Sequence, residues 1–285
     1  MNVHKNSNPI GIFDSGIGGL TVLNEIRQQI PGENLIYFGD TARVPYGIKS
    51  AGTVRRFSRE IADYLVRLDI KMLVVACNTA SAAALNTLRE SLPIPVVGVL
   101  MPGAYAASRA THTGRVGVIG TESTVASGAY DRLIRNIRPG TEIFALPCPL
   151  FVPLVEEGRL TGEITALVAK EYLSPIKEKK IDTLVLGCTH YPLLKPVIGE
   201  VMGGSVTLID SADETAREVR RVLTKNGLLN LGEIPPRSPL CQKGEGGDLN
   251  TGFIRYYVTD APERFKAIGE RFLGYEIPEV GKAEL

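Results

Sequence analysis

LVVACNT, residues 73–79, sets the architecture. Four apolar residues in succession, Leu73 to Ala76, suit a strand covered on both faces of a parallel sheet, because a half-exposed strand would alternate. A cysteine and two small polar residues follow at once, the kind of residues that open a helix. The same order returns in TLVLGCTH, residues 183–190, where a strand runs into Cys188-Thr189-His190. Each has a companion upstream: IGIF runs into Asp14-Ser15-Gly16, and VGVIG into Thr121-Glu122-Ser123. Asp14 and Cys77 are 63 residues apart, Thr121 and Cys188 are 67 apart. Such a pair, repeated at similar spacing, reads as two related α/β lobes.

Outward from these segments the chain alternates short apolar runs with helical stretches. Strands are predicted at Ile10–Phe13, Leu35–Phe38, Met72–Ala76, Val96–Val99, Val116–Ile119, Glu142–Ala145, Thr183–Leu186 and Val206–Ile209. Val54, Phe57, Ile61, Tyr64, Leu65 and Leu68 fall on one face of a helix. Ala212–Asn226 reads as another helix, ended by Gly227. From Leu228 to Asn250 the rhythm breaks; PPRSP and GEGG predict a surface loop. Phe253–Val258 then reads as an edge strand and Pro262–Leu273 as a closing helix. The alternation defines an α/β fold with parallel-rich sheets, whose ligands bind beyond the carboxyl ends of the strands.

Composition excludes several classes. Across 285 residues, 44% hydrophobic and 22% charged side chains are ordinary for a globular chain of one large or two medium domains. Lys+Arg 32 against Asp+Glu 31 leaves +1, so the total implies no basic face for nucleic acid. No apolar run reaches the ~18–20 residues of a membrane span. The first residues, MNVHKNSNP, lack an apolar signal core. Four cysteines without a CxxC pair are too few for a disulfide scaffold, and the expectation is reduced thiols in the cytoplasm.

Cys77 and Cys188 carry the sharpest chemical signal. A thiol at the end of a strand points into the cleft, and a neighbouring helix N-terminus is expected to favour thiolate over a reference pKa of about 8.5. The bland alternative is a small buried apolar residue, which matched contexts argue against. Cys148, between Pro147 and Pro149, and Cys241, in the irregular loop, read as structural. The loop Asp14-Ser15-Gly16-Ile17-Gly18-Gly19 could hold an anion on its N–H groups, with Asp14 otherwise an N-cap. It is not a dinucleotide fingerprint, since Thr21 stands where the third glycine belongs. His190 is either an acid/base group or a hydrogen-bonded structural residue. Cys188, His190 and Cys77 lack a fourth ligand and a suitable spacing for zinc, so no metal is expected. Glu156-Glu157 is a cleft acid pair or a solvated helix end, and Pro45-Tyr46-Gly47 could be only a turn.

With these residues in view, the sequence resembles the glutamate racemases of the cofactor-independent aspartate/glutamate racemase family. The matching stretches are GIFDSGIGGLTVL (11–23), YFGDTARVPYG (37–47), VVACNTASA (74–82), FVPLVEEG (151–158), LVLGCTHYPLL (184–194), IDSA (209–212) and TDAPERF…ERFLG (259–274). The resemblance implies two pseudo-symmetric lobes around a cleft: residues 1–98 plus 212–285 carrying Cys77, and residues 99–211 carrying Cys188. It implies interconversion of L- and D-glutamate for peptidoglycan synthesis, with no cofactor, in a homodimer or a monomer–dimer equilibrium. Cys77 and Cys188 would be the two acid/base residues, Cys77 taking the proton from the D-isomer and Cys188 from the L-isomer. Asp14 and His190 would assist them, with Glu156, rather than Glu157, the further acid and Asp40 nearby. Ser15, Pro45, Tyr46, Gly47, Asn78, Thr79, Thr121 and Thr189, with Asp14 and His190, would contact substrate.

The chemistry fits this pattern. Racemisation removes the Cα proton from one face and returns one to the other, so one base per face avoids turning the intermediate over. No pyridoxal-lysine motif is evident to act as an electron sink, which leaves N–H and hydroxyl donors to stabilise the carbanion. Three rivals remain at this stage. An aspartate or hydantoin racemase shares the paired-cysteine logic. A thiol hydrolase would form a covalent adduct and leave the second cysteine unexplained. A two-lobe binding protein would have no need of reactive thiols.

Overall fold

The computed structural model describes residues 6–230 and 252–285. Cys241 and most of the predicted loop Leu228–Asn250 lie outside the described residues.

Among the described residues ten parallel-paired strands form two sheets. The first is six-stranded in the order β10-β9-β2-β1-β3-β4, where β1 is Ile10–Asp14, β2 Leu35–Gly39, β3 Met72–Val75, β4 Val96–Gly98, β9 Ile254–Val258 and β10 Val280–Lys282. The second is four-stranded in the order β6-β5-β7-β8, where β5 is Arg115–Gly120, β6 Glu142–Pro147, β7 Thr183–Gly187 and β8 Thr207–Asp210. All pairs in both sheets are parallel. Each of the eight strands expected on continuous apolar runs is present with bounds shifted by a residue or so.

Burial on both faces explains those runs. On one face of the first sheet, Ile10, Ile12, Tyr37, Met72 and Val74 pack against α1 (Leu20–Gln29), α10 (Ser211–Lys225) and α11 (Pro262–Leu273). On the other, Phe13, Ile36, Phe38, Leu73 and Val75 meet α2 (Ala51–Val66) and α3 (Asn78–Ser91). Successive residues of one strand thus feed different cores. The second sheet repeats the plan. Val116, Val118 and Val185 face α4 (Leu100–Ala110) and α6 (Ala129–Ile137), beyond the short α5 (Glu122–Ala126). Ile119, Leu184 and Leu186 face α7 (Phe151–Glu156), α8 (Glu163–Lys177) and α9 (Lys195–Met202).

The chain passes between the sheets twice. It leaves the first after β4, where α4 joins the core of the second, and returns after β8, where Ala212, Ala216, Val219 and Leu223 of α10 pack on the first. The helix expected over Ala212–Asn226 is α10, and Gly227 follows it at φ +66°. The closing helix Pro262–Leu273 ends on Gly274 at φ +73°. One strand differs in position from its reading. The segment predicted as an edge strand, Phe253–Val258, is internal: β9 is paired on both sides, by β2 and by β10. Its outer neighbour is three residues long, Val280-Gly281-Lys282, too short and too polar to announce a strand.

At the amino end of the first sheet, away from the thiols, Lys71 and Glu33 form a buried ion pair. Lys71 also donates to the carbonyl of Leu228 at 2.9 Å and to that of Asn6, and Glu33 accepts from the Asn230 N–H at 2.8 Å. The pair thereby ties three segments together.

Candidate active site

The carboxyl ends of β1 and β3 in the first sheet and of β5 and β7 in the second build one cleft. In the first sheet β1 ends at Asp14 and β3 runs through Ala76 into Cys77. In the second, β5 ends before Thr121 and β7 before Cys188. The sheet register fixes these neighbours, since Phe13 pairs with Val75 and Gly120 with Gly187.

Cys77 is the N-cap of α3, and its Sγ accepts the Ala80 N–H at 3.4 Å. It is 6% exposed. Burial pushes this thiol up to about 12, and the Asp14 carboxylate pushes the same way; the Ala80 N–H and the Ser15 hydroxyl pull against both and lose. The sequence expectation of an acidified thiol is therefore wrong at Cys77. One helix N-terminus does not offset full desolvation beside a carboxylate.

Cys188 is equally buried but has a different companion. Its Sγ lies 3.8 Å from His190 Nδ1, and His190 Nε2 lies 3.1 Å from Glu156 Oε1. Burial alone would discharge the imidazole. Contacts with Cys188 and Glu156 outweigh burial and raise His190 to about 10, which puts an imidazolium beside the Cys188 Sγ. Burial works against the Glu156 carboxylate too, but His190 and then Arg264 bring it below the usual glutamate range. Glu157 faces solvent, 70% exposed, so Glu156 is the acid that reaches the cleft. Cys188 does not open an α-helix as expected; His190 precedes a 3₁₀ turn, Tyr191–Leu194, and α9 starts only at Lys195. The prolines at 192 and 196 suit such a broken start, because each removes an N–H donor.

Asp14 is fully buried but caps no helix: α1 is capped by Gly19. Its carboxylate accepts the Gly16 N–H at 3.0 Å and, across the cleft, the Thr189 hydroxyl at 3.4 Å. Burial raises its pKa against the pull of His190. Tyr46 is buried and donates to Asp40, which also accepts from Arg43 at 2.8 Å and Thr259 at 3.0 Å. Asp40 thus anchors Tyr46 from behind. Pro45 is exposed and serves the turn, following a cis Val44–Pro45 peptide.

The loops of the two sheets interlock around these groups. Thr79 Oγ1 lies 3.0 Å from Thr121 Oγ1 and 3.1 Å from Thr124 Oγ1. Ser123 donates to the Gly47 carbonyl at 2.7 Å. A methyl at Gly18 would sit 2.3 Å from Thr189 Oγ1 and 2.5 Å from His190 Nδ1. Asn78 is buried; Tyr130 donates to its Oδ1 at 2.8 Å, while its Nδ2 has no hydrogen-bond partner among the described residues. A buried donor without a partner is expensive and marks a place for a ligand acceptor. Thr124 and Tyr130 went unread in the sequence, since small or aromatic residues on helices carry no local signal of a contact across a cleft.

Cys148 is fully buried among Phe151, Tyr191 and Cys188, with its thiol pushed up to about 12 by burial. Among the described residues no group of three or more His, Cys, Asp or Glu side chains could hold a metal ion. No described helix is long and apolar enough to cross a membrane.

Two parallel α/β sheets that meet at their strand ends, each bringing a buried cysteine, define an α/β enzyme with paired cleft thiols. The chain belongs to the Asp/Glu/Hydantoin racemase family, whose model matches residues 10–219. It is 54% identical over 276 residues to a glutamate racemase from Geobacter metallireducens, covering 97% of this chain and 96% of the relative. Among solved structures it is similar to a glutamate racemase of Bacillus anthracis, with a TM-score of 0.87 and 40% identity over 98% of each chain. A glutamate racemase of Francisella tularensis in complex with D-glutamate matches with a TM-score of 0.86 and 38% identity, again over 98% of each chain.

Proposed function

We propose that this chain interconverts L- and D-glutamate in the cytoplasm and supplies D-glutamate for peptidoglycan, by a two-base thiol mechanism that needs no cofactor. Substrate lies between a lobe of residues 1–98 plus 212–285 and a lobe of residues 99–211. The protein acts as a homodimer or in a monomer–dimer equilibrium. One observation carries the reading: Cys77 and Cys188 stand at corresponding strand ends in electrostatically unlike surroundings.

With L-glutamate, Cys188 beside the His190 imidazolium takes the Cα proton as thiolate. Cys77, held protonated by burial and Asp14, returns a proton on the opposite face. With D-glutamate the roles reverse. Glu156 keeps His190 charged and oriented, and Asp14 serves Cys77 in the reverse direction. The Asn78 amide and the hydroxyls of Ser15, Thr79, Thr121 and Thr189, with Tyr46 and Gly47, grip the carboxylates. Donors fixed before the reaction stabilise the carbanion at small reorganisation cost.

The test is circular dichroism of L- and D-glutamate incubated separately with the protein in D2O, no pyridoxal phosphate added. Both signals should decay with deuterium appearing at Cα. Cys188→Ala should abolish the decay while far-UV dichroism stays native; full racemisation by that variant would sink the two-thiol mechanism. Faster turnover of aspartate would transfer the reading to the other family substrate.

A further inference from the structure

Tyr130 stands on α6, in the second sheet's core, yet it hydrogen-bonds across the cleft to Asn78, the first residue of α3. Both are 3% exposed. The phenol donates to Asn78 Oδ1 at 2.8 Å. Burial pushes the phenol further from ionisation, so it keeps the proton it donates. With Oδ1 engaged by the phenol, Nδ2 is left as a buried donor without a partner among the described residues. Gly103 makes room for the arrangement: a Cβ there would lie 3.3 Å from both Tyr130 Oη and Ser211 Cβ.

We propose that Tyr130 is a positioning residue that locks the Asn78 carboxamide with its NH2 turned to the cleft, ready for a substrate carboxylate. The proposal rests on the glutamate reading of the site. It also couples the two sheets, because the donor is set by one and used by the other. Tyr130 does not touch substrate; its effect passes through Asn78.

The test compares wild type, Tyr130→Phe, Asn78→Ala and the double variant. Tyr130→Phe should raise KM for both glutamate isomers about tenfold, the size of one lost oriented hydrogen bond, with kcat within about threefold. The double variant should be no worse than Asn78→Ala alone, since both changes remove the same donor. In 15N–1H spectra of the ligand-free protein, the side-chain NH2 pair assigned by its loss in Asn78→Ala should move or broaden in Tyr130→Phe. An unmoved NH2 pair, or KM effects that multiply in the double variant, would overturn the proposal. Absence of glutamate exchange in wild type would count against the glutamate reading instead, and the NH2 signal would still decide the role of Tyr130.

Discussion

His190 and Cys77 show how little sequence distance has to do with electrostatic environment. Both sit in the same cleft and both are buried, yet one is held as a cation and the other as a neutral thiol. The difference is the neighbour: Glu156 and Cys188 for the imidazole, Asp14 for the thiol. Removing Glu156 tests this directly. In Glu156→Gln the His190 midpoint should fall from about 10 toward its ordinary 6.5, read by NMR titration of the imidazole. The sign for stability follows. A histidine raised in the folded state contributes fully below 6.5 and loses that contribution as pH rises through about 10. Glu156, lowered in the folded state, contributes above 4.5 and loses it as pH falls through its depressed value. The variant should therefore lose most stability between those limits, near pH 5–6. Its basic limb for racemisation of L-glutamate should also move to lower pH. An unmoved midpoint would leave Cys188 as the sole support of the charge. The sequence offered both acids, Glu156 and Glu157, and the last turn of α7 selects between them by aiming one inward.

At the scale of elements, the loops after the strands do the positioning, and glycine is what lets them approach. Gly18 belongs to the first sheet's loop but touches Thr189 and His190 of the second. Gly18→Ala should push that pair aside. A displacement of the acid/base group approaching 1 Å costs on the order of 10²-fold in kcat. The overpacking should also cost about 1–3 kcal/mol of stability. Gly52→Ala, on α2 where a methyl meets nothing within 4 Å, should instead gain about 0.4–1 kcal/mol and leave kcat alone. Thermal denaturation and kinetics of the two variants separate contact from backbone entropy; equal kcat values would show that the Gly18 approach is not functional. Strands and helices were legible because continuous apolar runs and three- and four-residue spacing are local. The inner place of β9 was not, since it depends on pairing with a short segment more than twenty residues away.

On the scale of the whole molecule, the two sheets are held closed by small groups. Thr79, Thr121 and Thr124 share hydroxyl contacts, and Ser123 reaches the Gly47 carbonyl. Gly47 is a tight point of this closure, since a methyl there would fall 2.7 Å from Thr121 Cβ. Gly47→Ala should wedge the sheets apart and raise KM for both isomers about tenfold or more, because donors on both sheets must reach one small dicarboxylate. Tm should change less than in Gly18→Ala, since no core side chain is displaced. An unchanged KM would mean that the sheets part freely to admit the methyl.

The sequence alone determined the α/β class, the repeated strand-to-polar-loop pattern and the two cysteines, because these are written in local hydrophobic runs and in residue types at strand ends. It also carried the family motifs that name the chemistry. Only the tertiary structure decided which acid meets His190, that Cys77 is a hard thiol to ionise, and that Tyr130 sets the Asn78 amide. Each of these depends on burial and on a partner tens of residues away along the chain. Desolvation and through-space charge act over a few ångströms of folded distance, and that distance does not exist until both sheets have packed.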